Sequence, residues 1–241
     1  MSTSDAASET PPDRLIVRGG STLEGTIRVG GAKNSVLKLM AATLLAAGDY
    51  HLHNVPRITD VDLMSDLLRA TGCSVSRSDE SLTISVPTEI EPVAPYEIVK
   101  QFRASIVVMG PMLARCGEAR VALPGGDDFG PRPIDMHVRG LTELGAEFDT
   151  TDGYIHARAA NLRGARVLLE FPSVGATENL LMAAVRAKGT TVIDNAAREP
   201  EIADLCELLN KMGAQIVGAG SSTVTIEGVD SPDGPHCPCP L

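Results

Sequence analysis

Residues 189–213 read GTTVIDNAAREPEIADLCELLNKMG: a glycine, a short β-branched run, a loop closed by Pro200, a helical stripe and a second glycine. Ile202, Leu205, Cys206, Leu209 and Met212 fall at the three- and four-residue intervals of one helix face. Pro200 suits the first turn of that helix, where its missing N–H is not needed. Gly213 suits the left-handed residue that follows a helix end. The same punctuation occurs twice upstream. Its first glycines are Gly48, Gly117 and Gly189, 69 and 72 residues apart; its second are Gly72, Gly145 and Gly213, 73 and 68 apart. An apolar helical stripe precedes each first glycine, as in Leu37, Met40, Ala41, Leu44 and Leu45, and a hairpin pattern follows each second one. Strands are predicted at Tyr50–Asn54, Leu82–Val86, Arg120–Leu123, Tyr154–Ala157, Val167–Glu170 and Thr223–Glu227, where β-branched or alternating residues gather. A period of about 70 residues exceeds the common solenoid repeats. The expectation is an α/β domain in which three βα units share one core.

Composition narrows the function. With 241 residues, 43% of them hydrophobic, the chain is long enough for a substantial core. A net charge of −10 excludes a general polyanion binder, which needs a basic face. Tryptophan is absent and only 3% of residues are aromatic, so nucleic acid is not an expected partner. No apolar run approaches the roughly 18 residues of a membrane span. Residues 1–13, MSTSDAASETPPD, lack the cationic start and apolar stretch of a signal peptide and read as a disordered tail. Five scattered cysteines make no disulfide framework, and the expected location is the cytoplasm.

Several residues can carry chemistry. The spacing between first and second glycine is 24, 28 and 24 residues, and the extra four lie after Leu123, in PGGDDFGPRP. Loops that depart from an internal repeat are frequent carriers of function, although a neutral surface insertion gives the same spacing. Asp127 and Asp128 stand in that loop; a carboxyl with a raised pKa acts as a general acid, while two solvated aspartates do nothing. Arg132 sits between two prolines, which restrain its backbone. Lys33 and Asn34 follow Gly30-Gly31-Ala32 at a helix start, suited to a phosphate or carboxylate; a capped helix with a solvated lysine fits equally well. Arg103 opens an otherwise apolar helix, where a charge needs a partner or a cleft. Asp135 and His137 are two apart, so on a helix they do not face each other. Ser173-Val174-Gly175-Ala176-Thr177 is a second small-residue helix start with free N–H groups, or simply a cap. His236, Cys237 and Cys239 offer three metal ligands without a fourth, so no metal site is expected.

The segments GGAKNSVLKLMAATLL, HNVPRITDVDLM, FRASIVVMGPMLAR, LPGGDDFGPRPIDMH, FPSVGATENLLMAAV and IDNAAREPEIADLCELLNKMGAQIVGAG resemble the UDP-N-acetylglucosamine 1-carboxyvinyltransferases, enolpyruvyl transferases that open peptidoglycan synthesis. The likeness runs from about Arg14 to Val229. It implies an inverse α/β barrel-like domain, one half of a two-domain fold, over residues 31–229. Residues 14–30 would form strands belonging to the other domain, near Leu15–Val17 and Thr26–Val29. Residues 230–241 form a divergent Pro/Cys-rich tail. The implied substrates are phosphoenolpyruvate and UDP-N-acetylglucosamine, with no cofactor. By position, Lys33 would contact phosphoenolpyruvate and Asn34 the sugar nucleotide. Arg103 and Arg132 would hold anionic groups, as guanidinium geometry suits. Pro133, Ile134, Asp135, Met136 and His137 would line the uridine side, and Ser173, Val174 and Gly175 the diphosphate. Asp127 stands where the family commonly presents a cysteine as proton donor, and Phe171 stands where some relatives carry a lysine. The resemblance makes Asp127, Lys33 and Arg132 the catalytic set. Family chains are much longer, and the aspartate expected to deprotonate the sugar lies in their second half; a separate chain supplying that half is therefore an implied partner. A non-catalytic nucleotide-sugar-binding or partner-pairing fragment, and transfer to another uridine nucleotide, remain as alternatives.

Overall fold

Helix α1 (Lys33–Ala42) is buried on almost every side: each residue from Ser35 to Ala42 is inside. It opens the first of three repeats, in a computed structural model that describes residues 16–123, 134–230, 232 and 239–240. A 3-10 turn (Thr43–Leu45) leads into β1 (Gly48–His53), then α2 (Thr59–Ala70) and the hairpin β2 (Ser74–Ser78) and β3 (Ser81–Val86). The second repeat runs β4 (Val93–Ala94), α3 (Tyr96–Val99), a 3-10 turn (Arg103–Val108), α4 (Met109–Cys116), β5 (Glu118–Ala122), α5 (Asp135–Glu143), β6 (Glu147–Thr151) and β7 (Tyr154–Arg158). The third runs β8 (Arg166–Leu168), α6 (Val174–Ala184), β9 (Thr190–Asp194), α7 (Pro200–Lys211), β10 (Gln215–Val217) and β11 (Thr223–Glu227). A short β12 (Cys239–Pro240) ends the described chain.

Among the described residues three four-stranded sheets result, ordered β12-β1-β3-β2, β4-β5-β7-β6 and β8-β9-β11-β10. Each has one parallel pair at its edge and antiparallel pairs elsewhere. The sheets are thus mixed, with less parallel character than a βα repeat alone implies. Each edge strand follows the hairpin of the repeat before it: β4 follows β3, β8 follows β7, and β12 follows β11 to lie beside β1. The circle of three therefore closes on residues 239–240, inside the segment expected to be a divergent tail.

Helices α1 and α6 are buried nearly all round and fill the centre. The sheets turn one face inward, shown by the alternating burial of β3 and β11. This is the inverse α/β arrangement, helices within and sheets without. One continuous core joins the repeats, from Val36 and Met40 through Met109 to Leu180 and Leu205. The repeat-marking glycines Gly48, Gly72, Gly117, Gly145, Gly189 and Gly213 all have positive φ, and Gly117 ends α4 at φ 76° in the left-handed region.

The strands expected within residues 14–30 belong by resemblance to the other domain, and residues 16–32 by themselves have no regular structure, with Ile16, Val17, Leu23, Ile27 and Val29 more than four-fifths exposed. Alternating apolar residues make a strand only where another strand pairs with them. The helix expected to open at Arg103 is divided, a 3-10 turn giving way to an α-helix at Met109. Residues 1–15, 124–133 and the His236-Cys237 pair lie outside the described residues, and with them Asp127, Arg132 and Pro133.

Candidate functional site

Lys33 is the first residue of α1, and its ammonium pairs with Asp60 of α2 at 2.8 Å. The lysine is thus partnered, not freely solvated. It borders an open cleft of about 580 Å³ together with Arg57, Ile58, Thr59, Asp60 and Asp62. Gly31, just before it, lies where a Cβ would come within 1.9 Å of the Asn54 carbonyl oxygen, so glycine is required here for close approach whatever the segment binds. Asn34 donates from Nδ2 to Glu201 Oε1 at the start of α7, 3.3 Å away, and Ser35 Oγ donates to Asp204 Oδ2 at 2.6 Å. These bonds seal α1 against α7.

Beneath this surface, Lys38 Nζ donates to the Asn34 carbonyl at 3.2 Å and lies 3.2 Å from Glu178 Oε1 on α6. Glu178 is fully buried, and neither carboxylate oxygen has a well-formed hydrogen bond, Oε1 meeting Lys38 as an ion pair only. Burial pushes its carboxyl up to about 7 against the opposing charge of Lys38, with Glu201 and Glu199 adding to the rise.

The second cluster lies where α5 meets α6. Ile134 precedes α5 and packs on the core, Asp135 is exposed, and Met136 and His137 are buried. Asp135 pairs with Arg139 at 3.2 Å, and Arg139 reaches Glu170 at 2.6 Å; Asp135 and His137 do not meet. His137 Nδ1 instead lies 2.7 Å from Asn179 Nδ2. Burial first, and then the positive charge of Arg103, hold the imidazole down to about 4, while Asp135 works in the opposite direction. Arg103, half-buried at the head of its 3-10 turn, therefore belongs to the same cluster. Ser173 caps α6, its Oγ accepting from the Ala176 N–H at 3.4 Å. Thr177 Oγ1 donates to the Ser173 carbonyl at 2.8 Å and accepts from the Ala197 N–H at 3.1 Å. Val174 packs on the core, and Gly175 faces His137, where a Cβ would sit 3.3 Å from Nε2.

The fold thus joins Arg103, His137 and Gly175, and separately ties Asn34 to α7 and Lys33 to α2. Asp60, Glu201, Lys38, Glu178 and Asn179 were not singled out by sequence. The Glu178-Asn179 pair had a readable signal, two polar residues inside the apolar run VGATENLLMAA. The free thiols Cys73, Cys116 and Cys206 are raised chiefly by burial, Cys206 to about 12, so none is a ready thiolate. Among the described residues, no helix is long and apolar enough to cross a membrane.

Residues 17–239 match the family of EPSP synthase (3-phosphoshikimate 1-carboxyvinyltransferase), a span that runs past Val229. The chain is 57% identical over 218 residues to a UDP-N-acetylglucosamine 1-carboxyvinyltransferase of Corynebacterium jeikeium, covering 90% of this chain and 52% of that protein. It is equally identical over 217 residues to the protein of that name from Mycobacterium bovis, with the same coverage. Among solved structures, the enolpyruvyl transferase NikO from Streptomyces tendae superposes with a TM-score of 0.78 at 23% identity, covering 92% of this chain and 52% of NikO. EPSP synthase from Acinetobacter baumannii gives 0.69 at 19% identity, covering 88% and 48%. The two structures establish the shared fold. The chain spans about half the length of the relatives it matches.

Proposed function

Because the chain belongs to the EPSP synthase family, we propose that it forms half of the cleft of a cytoplasmic carboxyvinyltransferase that moves the enolpyruvyl group of phosphoenolpyruvate to the 3′-hydroxyl of UDP-N-acetylglucosamine. The observation that carries this reading is the identity of more than half of the aligned residues with enzymes of that name.

In this reaction the sugar oxygen bonds to C2 of phosphoenolpyruvate while a proton reaches C3. The tetrahedral adduct then loses phosphate as the C2–O bond breaks, and a C3 proton leaves to restore the double bond. Asp127 is the proposed acid for C3, which requires its carboxyl protonated when substrate arrives. Lys33 and Arg132 hold phosphoenolpyruvate oxygens, and Lys33 exchanges Asp60 for the incoming anion. The N–H groups of Val174 and Gly175 at the opening of α6 receive the diphosphate, since the first turn of a helix leaves its donors without intrahelical partners. The Ser173 N–H is held by the Phe171 carbonyl, and only its hydroxyl can turn to the ligand. Asn34, Arg103 and the segment Pro133–His137 position the sugar nucleotide. The sugar-deprotonating carboxylate and the remaining cations would come from the half of the relatives' length that this chain does not span.

The test mixes this chain with the separately produced second half of the Corynebacterium jeikeium relative and follows phosphate release and product mass. With phosphoenolpyruvate and UDP-N-acetylglucosamine, a product heavier by one enolpyruvyl group is expected. Asp127→Asn should slow its formation by about a hundredfold or more. Turnover with 3-phosphoshikimate in place of the nucleotide would overturn the acceptor, and nucleotide binding without turnover would leave only a binding role.

A further inference from the structure

Asn179 occupies an unusual place in the core. In an α-helix the Gly110 N–H would donate to the Ile106 carbonyl, four residues earlier. Here the Asn179 side chain from α6 enters between them: Gly110 N donates to Oδ1 at 2.7 Å, and Nδ2 donates to the Ile106 carbonyl at 3.1 Å. This insertion sits where the 3-10 turn passes into α4. Gly110 permits the close approach, since a Cβ there would lie 2.4 Å from the Asn179 carbonyl oxygen.

The two backbone groups decide which way the amide faces. Gly110 N–H can only donate, so its partner must be Oδ1; the Ile106 carbonyl can only accept, so its partner must be Nδ2. Nothing about the orientation is left to choice. The second Nδ2 hydrogen then points to His137 Nδ1 at 2.7 Å, which must offer a lone pair. An N–H on Nδ1 would oppose an N–H on the amide inside a buried site.

We infer that Asn179 is a positioning residue that fixes His137 as the neutral imidazole with its proton on Nε2, presenting an N–H donor beside Gly175 at the opening of α6. The ligand group this suits is an acceptor oxygen, such as a carbonyl or phosphate oxygen lying across the α5–α6 junction. That ligand role rests on the proposed nucleotide-sugar function; the tautomer does not.

The test is NMR on the whole chain labelled with 15N, with His137→Gln identifying the ring signals among the five histidines. At pH 7 the His137 Nδ1 signal should be of the unprotonated type and Nε2 of the protonated type. A scalar coupling across the hydrogen bond should correlate Nδ1 with Asn179 Nδ2. An Nδ1–H ring, a mixture of tautomers or a missing coupling in the unsubstituted chain would overturn the inference. Asn179→Asp keeps an acceptor for Gly110 but has no N–H for His137, so the proton should move to Nδ1 or both nitrogens should carry one. A folded Asn179→Asp chain that keeps the Nε2–H ring would likewise refute the role of Asn179. Adding UDP-N-acetylglucosamine should shift Nε2 more than Nδ1. If the tautomer is as stated and the nucleotide shifts neither nitrogen, the proposed function fails at this junction while the tautomer assignment stands.

Discussion

On one flank of α6, Glu178 meets the Lys38 ammonium of α1; on the other, Asn179 meets the neutral His137 of α5. Both contacts are buried, both join neighbouring repeats, and they come from adjacent residues of one helix. Their chemistry differs. The charged flank leaves both carboxylate oxygens without a well-formed hydrogen bond, whereas the amide flank engages Oδ1 and both Nδ2 hydrogens. A buried ion pair loses in desolvation much of what it gains in attraction, while a satisfied amide specifies geometry at little cost. The charged flank should therefore be the more replaceable of the two, provided both partners are changed together.

The largest expected effect comes from breaking that flank on one side only. Lys38→Met leaves Glu178 buried without its cation and should cost about 3–5 kcal/mol at pH 8 by chemical denaturation. The double variant Lys38→Met/Glu178→Leu should recover most of the loss. A double variant as unstable as the single one would show that the pair is indispensable, and the contrast between the flanks would collapse.

Next comes pH. Glu178 is raised from 4.5 to about 7, so the folded state binds the extra proton and stability should fall as pH rises from 4.5 to 7. His137 is lowered from 6.5 to about 4, so the unfolded state binds the extra proton and stability should rise as pH rises from 4 to 6.5. Each limb amounts to about 3 kcal/mol, and the two oppose each other over the pH range they share. Thermal melts of Glu178→Gln should uncover the rising limb alone, and those of His137→Gln the falling one. Two variants with unchanged pH profiles would contradict both assignments.

A smaller effect is expected of Asn179→Ala, which strands the Gly110 N–H while the Ile106 carbonyl keeps the Met109 N–H, at about 1–3 kcal/mol. The smallest is Gly175→Ala, whose Cβ would press on the His137 ring at 3.2–3.3 Å. About 1 kcal/mol is expected in stability, with a displaced His137 ring signal in the NMR spectrum.

The repeats were legible because glycine and helical stripes recur in register, from Gly48 to Gly213. The hairpin after each second glycine is legible too, but the range of its outer strand is not, and Ser74–Ser78 shows why: none of its residues is fully buried, so no apolar alternation marks it. Lys38 carries no local signal, because α1 is enclosed on all sides and a charge within it looks like the solvated face of an amphipathic helix. The bond between Asn179 and His137, 42 residues apart, has no local pattern at all. Lys33, Asn34 and Ser173–Gly175 were found as helix starts, which local chemistry does mark, but their partners Asp60 and Glu201 depend on how the helices meet.

Amide NMR of the labelled chain, titrated with UDP-N-acetylglucosamine and, separately, with 3-phosphoshikimate, tests the functional reading most directly. The nucleotide is expected to shift Asn34, His137 and the Ser173–Gly175 amides in a saturable way, and 3-phosphoshikimate to leave them in place. Shifts at these residues from 3-phosphoshikimate alone, or nucleotide-induced shifts confined to the outer sheets, would contradict it.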